Sequence, residues 1–136
     1  SYKVEAQAHI IIVQNALILT EKGIEFGTKT IDTVINYSGS AFAFSFNKET
    51  QELYLMTAGH ICEMKDEGLL SFEVLEISLI NHDKKNFKAS IEIIDPEADL
   101  CILKSSWQET HKPILAKISK NKVLAGSPGY MICAPY

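Results

Sequence analysis

The 136-residue chain has no long hydrophobic run and no excess of basic residues. No stretch reaches the roughly 18 consecutive apolar residues of a transmembrane helix, so we expect no membrane partner. Thirteen Lys and Arg residues against seventeen Asp and Glu give a formal net charge of -4. No basic run alternates with aromatic residues, and we therefore expect no nucleic-acid partner. Hydrophobic residues make up 46% of the chain, which argues against disorder and predicts one domain with a core.

Cysteine is scarce, and the three cysteines cannot all pair within one chain. Cys101 and Cys133 lie in apolar runs, where a buried free thiol is the expected state. Cys62 follows His60 by two residues. We expect all three thiols to stay reduced, which slightly favours an intracellular or viral setting over a secreted one. The chain shows no signal peptide at its start, although such a leader is removed from mature proteins.

Metal-site spacing is also missing. No pair of cysteines or histidines has the spacing of a zinc site, so we expect no metal and no cofactor. His9, His82 and His111 have no partner at catalytic spacing, and we interpret them as strand or surface residues.

The chain does contain a series of short apolar segments separated by polar turns. Residues 10–13 and 17–19 open the series, and residues 21–23 form a turn. Further strands are predicted at residues 31–37, 41–46, 53–56, 72–80, 87–93, 100–103, 115–118 and 130–133. This spacing predicts an all-β antiparallel barrel or sandwich.

The clearest alternation lies in residues 41–46. Phe42, Phe44 and Phe46 should face one way, with the small residues between them facing the other. Small residues on one face suit a strand of a tightly closed barrel.

The segment Thr57-Ala58-Gly59-His60 follows an apolar strand. Small residues before the histidine allow a tight turn, so the imidazole can face a cleft instead of a core. Because the unperturbed pKa of histidine lies near neutrality, His60 can serve as a general base. Further along, Asp99 opens a second apolar strand.

These motifs resemble the first half of a chymotrypsin/trypsin-like serine protease, especially its HtrA-like branch. The resemblance is carried by Gly39-Ser40-Ala41-Phe42, Thr57-Ala58-Gly59-His60 and Asp99-Leu100-Cys101-Ile102-Leu103. It covers residues 36–136 and implies an antiparallel β-barrel, the first of two. Residues 1–35 are then either the opening strands of that barrel or an N-terminal extension.

The resemblance also implies roles for two residues. His60 would be the general base of a Ser-His-Asp triad, and Asp99 the acid that orients the imidazole. Asp95 competes for the second role, but it precedes Pro96 within the turn and corresponds to a structural acid of the family.

The nucleophile is missing from this pattern. The family places it in a second barrel, within a Gly-x-Ser-Gly sequence that this chain lacks. Ser127 follows Asp99 too closely for a second barrel to lie between them, and Pro128 restricts the loop. We interpret residues 126–129 as a turn before the last strand, and we expect the chain alone to lack specific peptidase activity.

The endopeptidase hypothesis implies a protein or peptide substrate and a missing second barrel, in the same longer chain or in a complementary chain. The uncovered face between the barrels should be apolar and promote self-association. Three alternatives stay open: a catalytically dead binding or scaffold module, a chymotrypsin-like protease with a cysteine nucleophile, and an unrelated β-sandwich. A pure scaffold has no physical need for both His60 and Asp99, which argues against the first of these.

Overall fold

The computed structural model describes residues 1–132, and strands account for most of them. The elements in chain order are β1 (Tyr2–Thr20), β2 (Gly23–Asn47), β3 (Glu52–Ala58), α1 (Gly59–Cys62), β4 (Leu69–Ile80), β5 (Asn86–Asp95) and β6 (Leu100–Ser106). All strand pairs are antiparallel, in the order β1-β2-β3-β6-β5-β4, and β4 pairs back onto β1 to close the ring. The all-β, barrel-like prediction is confirmed, and the closed ring favours a barrel over a sandwich. Among residues 1–132, no helix is long enough and apolar enough to span a membrane.

The strand order determines where the candidate site lies. β1, β2 and β3 are consecutive neighbours and β4 returns beside β1, which is the Greek-key order. The second half of the ring brings β6 back beside β3, with Ala58 opposite Leu100. Because the two strands are antiparallel, the end of β3 meets the start of β6. His60 and Asp99 directly flank this meeting point.

The core consists of alternate residues whose side chains point into the ring. Val4, Leu55 and Leu103 are fully buried, each on a different strand. Ala41 and Ala43 also face inward, whereas Phe42 between them is 40% exposed. Small inward residues on β2 let the strands approach closely enough to close a barrel of six strands.

Two register shifts change the predicted alternation. The β2–β3 pairing shifts between Ala43 and Ser45, and Phe46 then lies opposite Leu53 and packs against the core. The prediction that Phe46 shares a face with Phe42 is therefore wrong, because one inserted residue exchanges the two faces of a strand. Residues 87–93 also alternate between apolar and polar side chains, but a second shift after Ile91 leaves Ile93 at the end of this segment 55% exposed.

β1 and β2 continue past the barrel as a two-stranded ribbon. β1 pairs with β4 only from Lys3 to Ile12, and β2 pairs with β3 only from Ala41 to Asn47. Beyond these limits the two strands pair with each other up to Thr20 and Gly23. The predicted turn at residues 21–23 is thus the tip of this ribbon.

After β6 the described chain is irregular. Trp107 packs at one end of the barrel, 6% exposed, with its ring stacked on Phe87. The strand predicted at residues 115–118 is wrong: Ala116 donates one backbone hydrogen bond to Ala43 (2.7 Å), beside the register shift, and no ladder follows. Residues 130–132 are not a strand either, and the predicted end of that strand, Cys133, lies outside the described residues.

Candidate active site

His60 is placed by the turn at the end of β3. The buried Thr57 hydroxyl donates to the Ser40 carbonyl (2.8 Å), which holds the strand end against β2. The chain then leaves the sheet at Gly59, whose amide donates to the Asp99 carbonyl (2.8 Å). A Cβ on Gly59 would lie 2.9 Å from the backbone carbon of Asp99 and 2.9 Å from the nitrogen of Leu100. Only glycine allows the two segments to approach this closely.

Asp99 ends the turn between β5 and β6. Its φ of 52° is in the left-handed region, which aspartate adopts more readily than most residues. The Asp95 carboxylate accepts a hydrogen bond from the Ala98 amide (3.2 Å) and so stabilises the same turn. Asp95 is thus bonded within the turn, whereas the carboxylate of Asp99 is directed at His60.

His60 and Asp99 make two hydrogen bonds. The His60 backbone N–H donates to Asp99 Oδ1 (2.9 Å), and the ring Nδ1 lies 3.2 Å from Asp99 Oδ2. The ring hydrogen bond, with help from the backbone one, lowers the pKa of the Asp99 carboxyl below its ordinary value. Both side chains are 60% exposed, and no residue in the described part of the chain bonds to His60 Nε2. An ionised carboxylate on Nδ1 favours the tautomer whose Nε2 is free to accept a proton.

The residue after His60 anchors α1 to the barrel. Ile61 is buried, and its side chain occupies the space above Gly39, where an added Cβ would lie 2.7 Å from the Ile61 Cδ1. The Tyr37 hydroxyl donates to the Ile61 carbonyl (2.6 Å). Burial raises the pKa of Tyr37, which keeps this donor protonated. Hydrogen bonds to Asp99 and from Tyr37 therefore fix the backbone at His60 and at the residue that follows it.

A disulfide joins Cys62 to Cys101, with their Cα atoms 6.4 Å apart. The expectation that these two thiols stay reduced is wrong, because Cys62 in α1 and Cys101 in β6 face the same part of the core and are 4% and 0% exposed. The preference for an intracellular or viral setting depended on free thiols and loses that support. Cys133, the third cysteine, lies outside the described residues.

The other histidines do not join the site. His9 on β1 contacts Asp32 on β2, a second His–Asp pair that the sequence did not predict. The two residues lie on neighbouring strands, and only the strand register brings them together. His82 pairs with the adjacent Asp83 (3.3 Å), and the His111 ring packs edge-on against Trp107. Among residues 1–132 no group of three His, Cys, Asp or Glu residues could hold a metal ion.

Ser127 is part of a turn and not of the site. Its amide donates to the Leu124 carbonyl (3.1 Å), and none of the hydrogen bonds of the described residues joins it to His60. The site is thus an exposed, hydrogen-bonded His60–Asp99 pair, and both side chains are open to solvent. A polar recess of about 560 Å³ lies elsewhere on the barrel, lined by residues of β1, β2, β4 and β5, and includes neither residue of the pair.

Comparisons with known proteins assign this chain to no family. No protein-family model matches the chain, and no curated protein matches its sequence. The arrangement of His60 and Asp99 is therefore the observation from which a function can be inferred.

Proposed function

We propose that this chain is the first barrel of a trypsin-like serine endopeptidase, with His60 as general base and Asp99 as the acid that orients it. The observation that carries the proposal is the pair of hydrogen bonds that one carboxylate accepts from the ring and from the backbone N–H of His60. A carboxylate that merely neutralised a surface histidine would need only one of these contacts. The backbone contact fixes where the carboxylate lies, and the ring contact fixes how the imidazole is turned.

The proposed chemistry follows from this orientation. Asp99 accepts a hydrogen bond from the Nδ1–H group, so the proton stays on Nδ1 and Nε2, which points away from the acid, carries the lone pair. A hydroxyl brought to Nε2 loses its proton to the ring as its oxygen attacks the peptide carbonyl. The imidazolium that forms is stabilised by Asp99 and then donates the proton to the leaving amine. This mechanism requires no metal and no cofactor.

The exposure of the pair agrees with a site that is completed by another domain. Both side chains are 60% exposed on an open surface, whereas an enclosed site would bury much of them. The proposal assigns the nucleophile, the oxyanion hole and the remaining wall to a second barrel, in the same longer chain or in a complementary one. The peptide substrate would lie between the two barrels.

Fluorophosphonate labelling of the protein from its native source tests this function. We expect a labelled band well above 15.2 kDa that is lost in a His60→Ala variant and kept in His82→Ala. His82→Ala is the matched control because it removes an exposed histidine that also contacts an aspartate. A labelled band at 15.2 kDa would identify Ser127, or another serine of this chain, as the nucleophile. Labelling by a thiol-directed probe alone would assign a cysteine nucleophile, and no labelling by either probe would favour the inactive scaffold.

A further inference from the structure

The ribbon formed by β1 and β2 beyond residue 13 has one apolar and one charged face. Residues that lie directly opposite each other in an antiparallel pair share a face, and so do alternate residues of one strand. Leu17 lies opposite Phe26, and Leu19 lies opposite Ile24, so these four side chains form one patch. They are 66%, 92%, 83% and 71% exposed, in that order. The charged residues of this stretch of β2, Glu25 and Lys29, lie on the opposite face.

The ribbon also has a free strand edge. From residue 24 to residue 39, β2 pairs with β1 on one side, and no other strand of the described chain pairs with it on the other. Two strands alone are marginally stable in water, and at least three are needed for independent stability. A long edge rich in β-branched residues, without proline, is also the kind of edge to which another strand adds.

The charges on this edge complement a second copy of the same edge. Along a free strand edge, only every second residue points its backbone N–H and C=O groups away from the sheet. In an antiparallel pair of two such edges, these residues must hydrogen-bond to the corresponding residues of the other copy. One strand can therefore shift against the other only in steps of two residues. A two-fold axis at Gly27 places Glu25 of each copy opposite Lys29 of the other. The neighbouring permitted registers, centred on Phe26 or Thr28, would place Glu25 and Lys29 opposite uncharged residues and lose both ion pairs. The next registers, centred on Glu25 or Lys29, would place like charges opposite each other, which destabilises a strand pair.

The residue at this axis is suited to a close approach. Gly27 has no side chain, and the Cδ1 of Ile18 from the same ribbon lies 2.3 Å from where a Cβ would be. Ile18 thus covers the glycine on the charged face, while the strand edge beside it stays open. The two-fold arrangement would make each contact twice, as symmetric dimers do.

We infer that this protein forms a homodimer in which the β2 edges of two copies pair antiparallel about Gly27. The two ribbons then form one four-stranded sheet in the order β1-β2-β2-β1, and their apolar patches become continuous. This surface is separate from the His60–Asp99 site, so the inference does not depend on the proposed function.

Charge exchange across the axis tests the dimer. Sedimentation equilibrium of the full 136-residue chain should show a monomer–dimer equilibrium. We expect Glu25→Lys and Lys29→Glu each to raise the dimer dissociation constant about tenfold or more, because each places like charges opposite each other in both symmetric pairs. The double variant Glu25→Lys/Lys29→Glu restores opposite charges and should recover the affinity of the wild type.

The control is Lys48→Glu, which makes the same charge change in the exposed turn between β2 and β3. It should leave dimerisation within about twofold of wild type, since surface substitutions away from a contact have small effects. A monomer at every concentration would overturn the inference. So would a dimer that both single variants leave unchanged, or one that the double variant fails to restore, since either would place the contact elsewhere.

Discussion

Cys62 and Cys101 are joined by a disulfide, and each follows one member of the His60–Asp99 pair by two residues. The covalent link and the hydrogen-bonded pair therefore connect the same two segments, α1 and the start of β6. The cysteines lie on the buried side of the junction, and the histidine and aspartate lie on the exposed side. This arrangement holds the two segments together although both side chains of the pair are 60% exposed.

Removing the disulfide should lower the stability of the fold. The bond closes a sequence separation of 39 residues, for which the loss of chain entropy in the unfolded state corresponds to roughly 4 kcal/mol. We expect the Cys62→Ala/Cys101→Ala variant to unfold at lower urea concentration than wild type by about that free energy. The check is urea unfolding followed by Trp107 fluorescence, with and without a dithiol reductant. The reductant should lower the urea midpoint of the wild type and leave that of the variant unchanged. Equal shifts would contradict a stabilising role of this disulfide.

Gly59 should tolerate no side chain. A methyl group there would lie 2.9 Å from the backbone of Asp99, so the two segments must move apart, at a cost of about 1–3 kcal/mol. Gly59→Ala should lower the free energy of unfolding and weaken the His60–Asp99 contact. Gly129→Ala is the control, because nothing lies within 4 Å of a Cβ at that position. Comparable unfolding free energies for the two variants would show that the close approach at Gly59 is absent.

The Asp99 carboxyl should give the fold a pH dependence with a defined sign. Its pKa is lowered by the His60 hydrogen bonds from an ordinary value of 3.8, so the folded state binds the proton less tightly than the unfolded state. The stabilisation is therefore present above that ordinary value and is lost as the pH falls through the lowered pKa. Asp99→Asn should remove this part of the acid-induced loss of stability. Unfolding midpoints measured over the acid range should differ in slope between wild type and Asp99→Asn, and equal slopes would contradict this contribution of Asp99.

Asp99→Asn should also reduce the peptidase activity that the proposed function assigns to the complete protein. An asparagine in the place of the orienting acid favours the wrong imidazole tautomer, and the loss in kcat is about 10⁴-fold in this mechanism. The measurement is steady-state hydrolysis of a peptide substrate by the protein from its native source. Asp32→Asn serves as the control because it changes the second His–Asp pair, which joins β1 to β2 and is separate from His60. A loss of similar size in both variants would assign the effect to folding instead of catalysis.

Much of the barrel could be predicted from the sequence because its signals are local. Residues 53–56, 72–80 and 100–103 alternate or run apolar, and all lie within observed strands. The site segments were recognisable for the same reason: small residues precede His60, and an acid opens a strand at Asp99. His60 and Asp99 meet because β6 lies beside β3, and no local sequence pattern predicts that pairing.

The features that could not be predicted are matters of register and pairing. The shift after Ala43 reverses the face of Phe46, and no residue in that stretch indicates an insertion. The Cys62–Cys101 bond was not predicted because an odd cysteine count allows free thiols equally well. The segment at residues 115–118 has the composition of a strand, but it makes a single backbone bond at Ala43 and finds no neighbouring strand to extend the ladder.

¹⁵N NMR of the His60 ring in this 136-residue chain tests directly whether Asp99 orients the imidazole. In the neutral ring we expect the proton to reside on Nδ1, hydrogen-bonded to Asp99, and Nε2 to carry the lone pair. Asp99→Asn should shift the proton toward Nε2, and Asp32→Asn should leave the His60 signals unchanged. A wild-type ring that carries its proton on Nε2, or a tautomer that does not respond to Asp99→Asn, would contradict the assignment of His60 as a base oriented by Asp99.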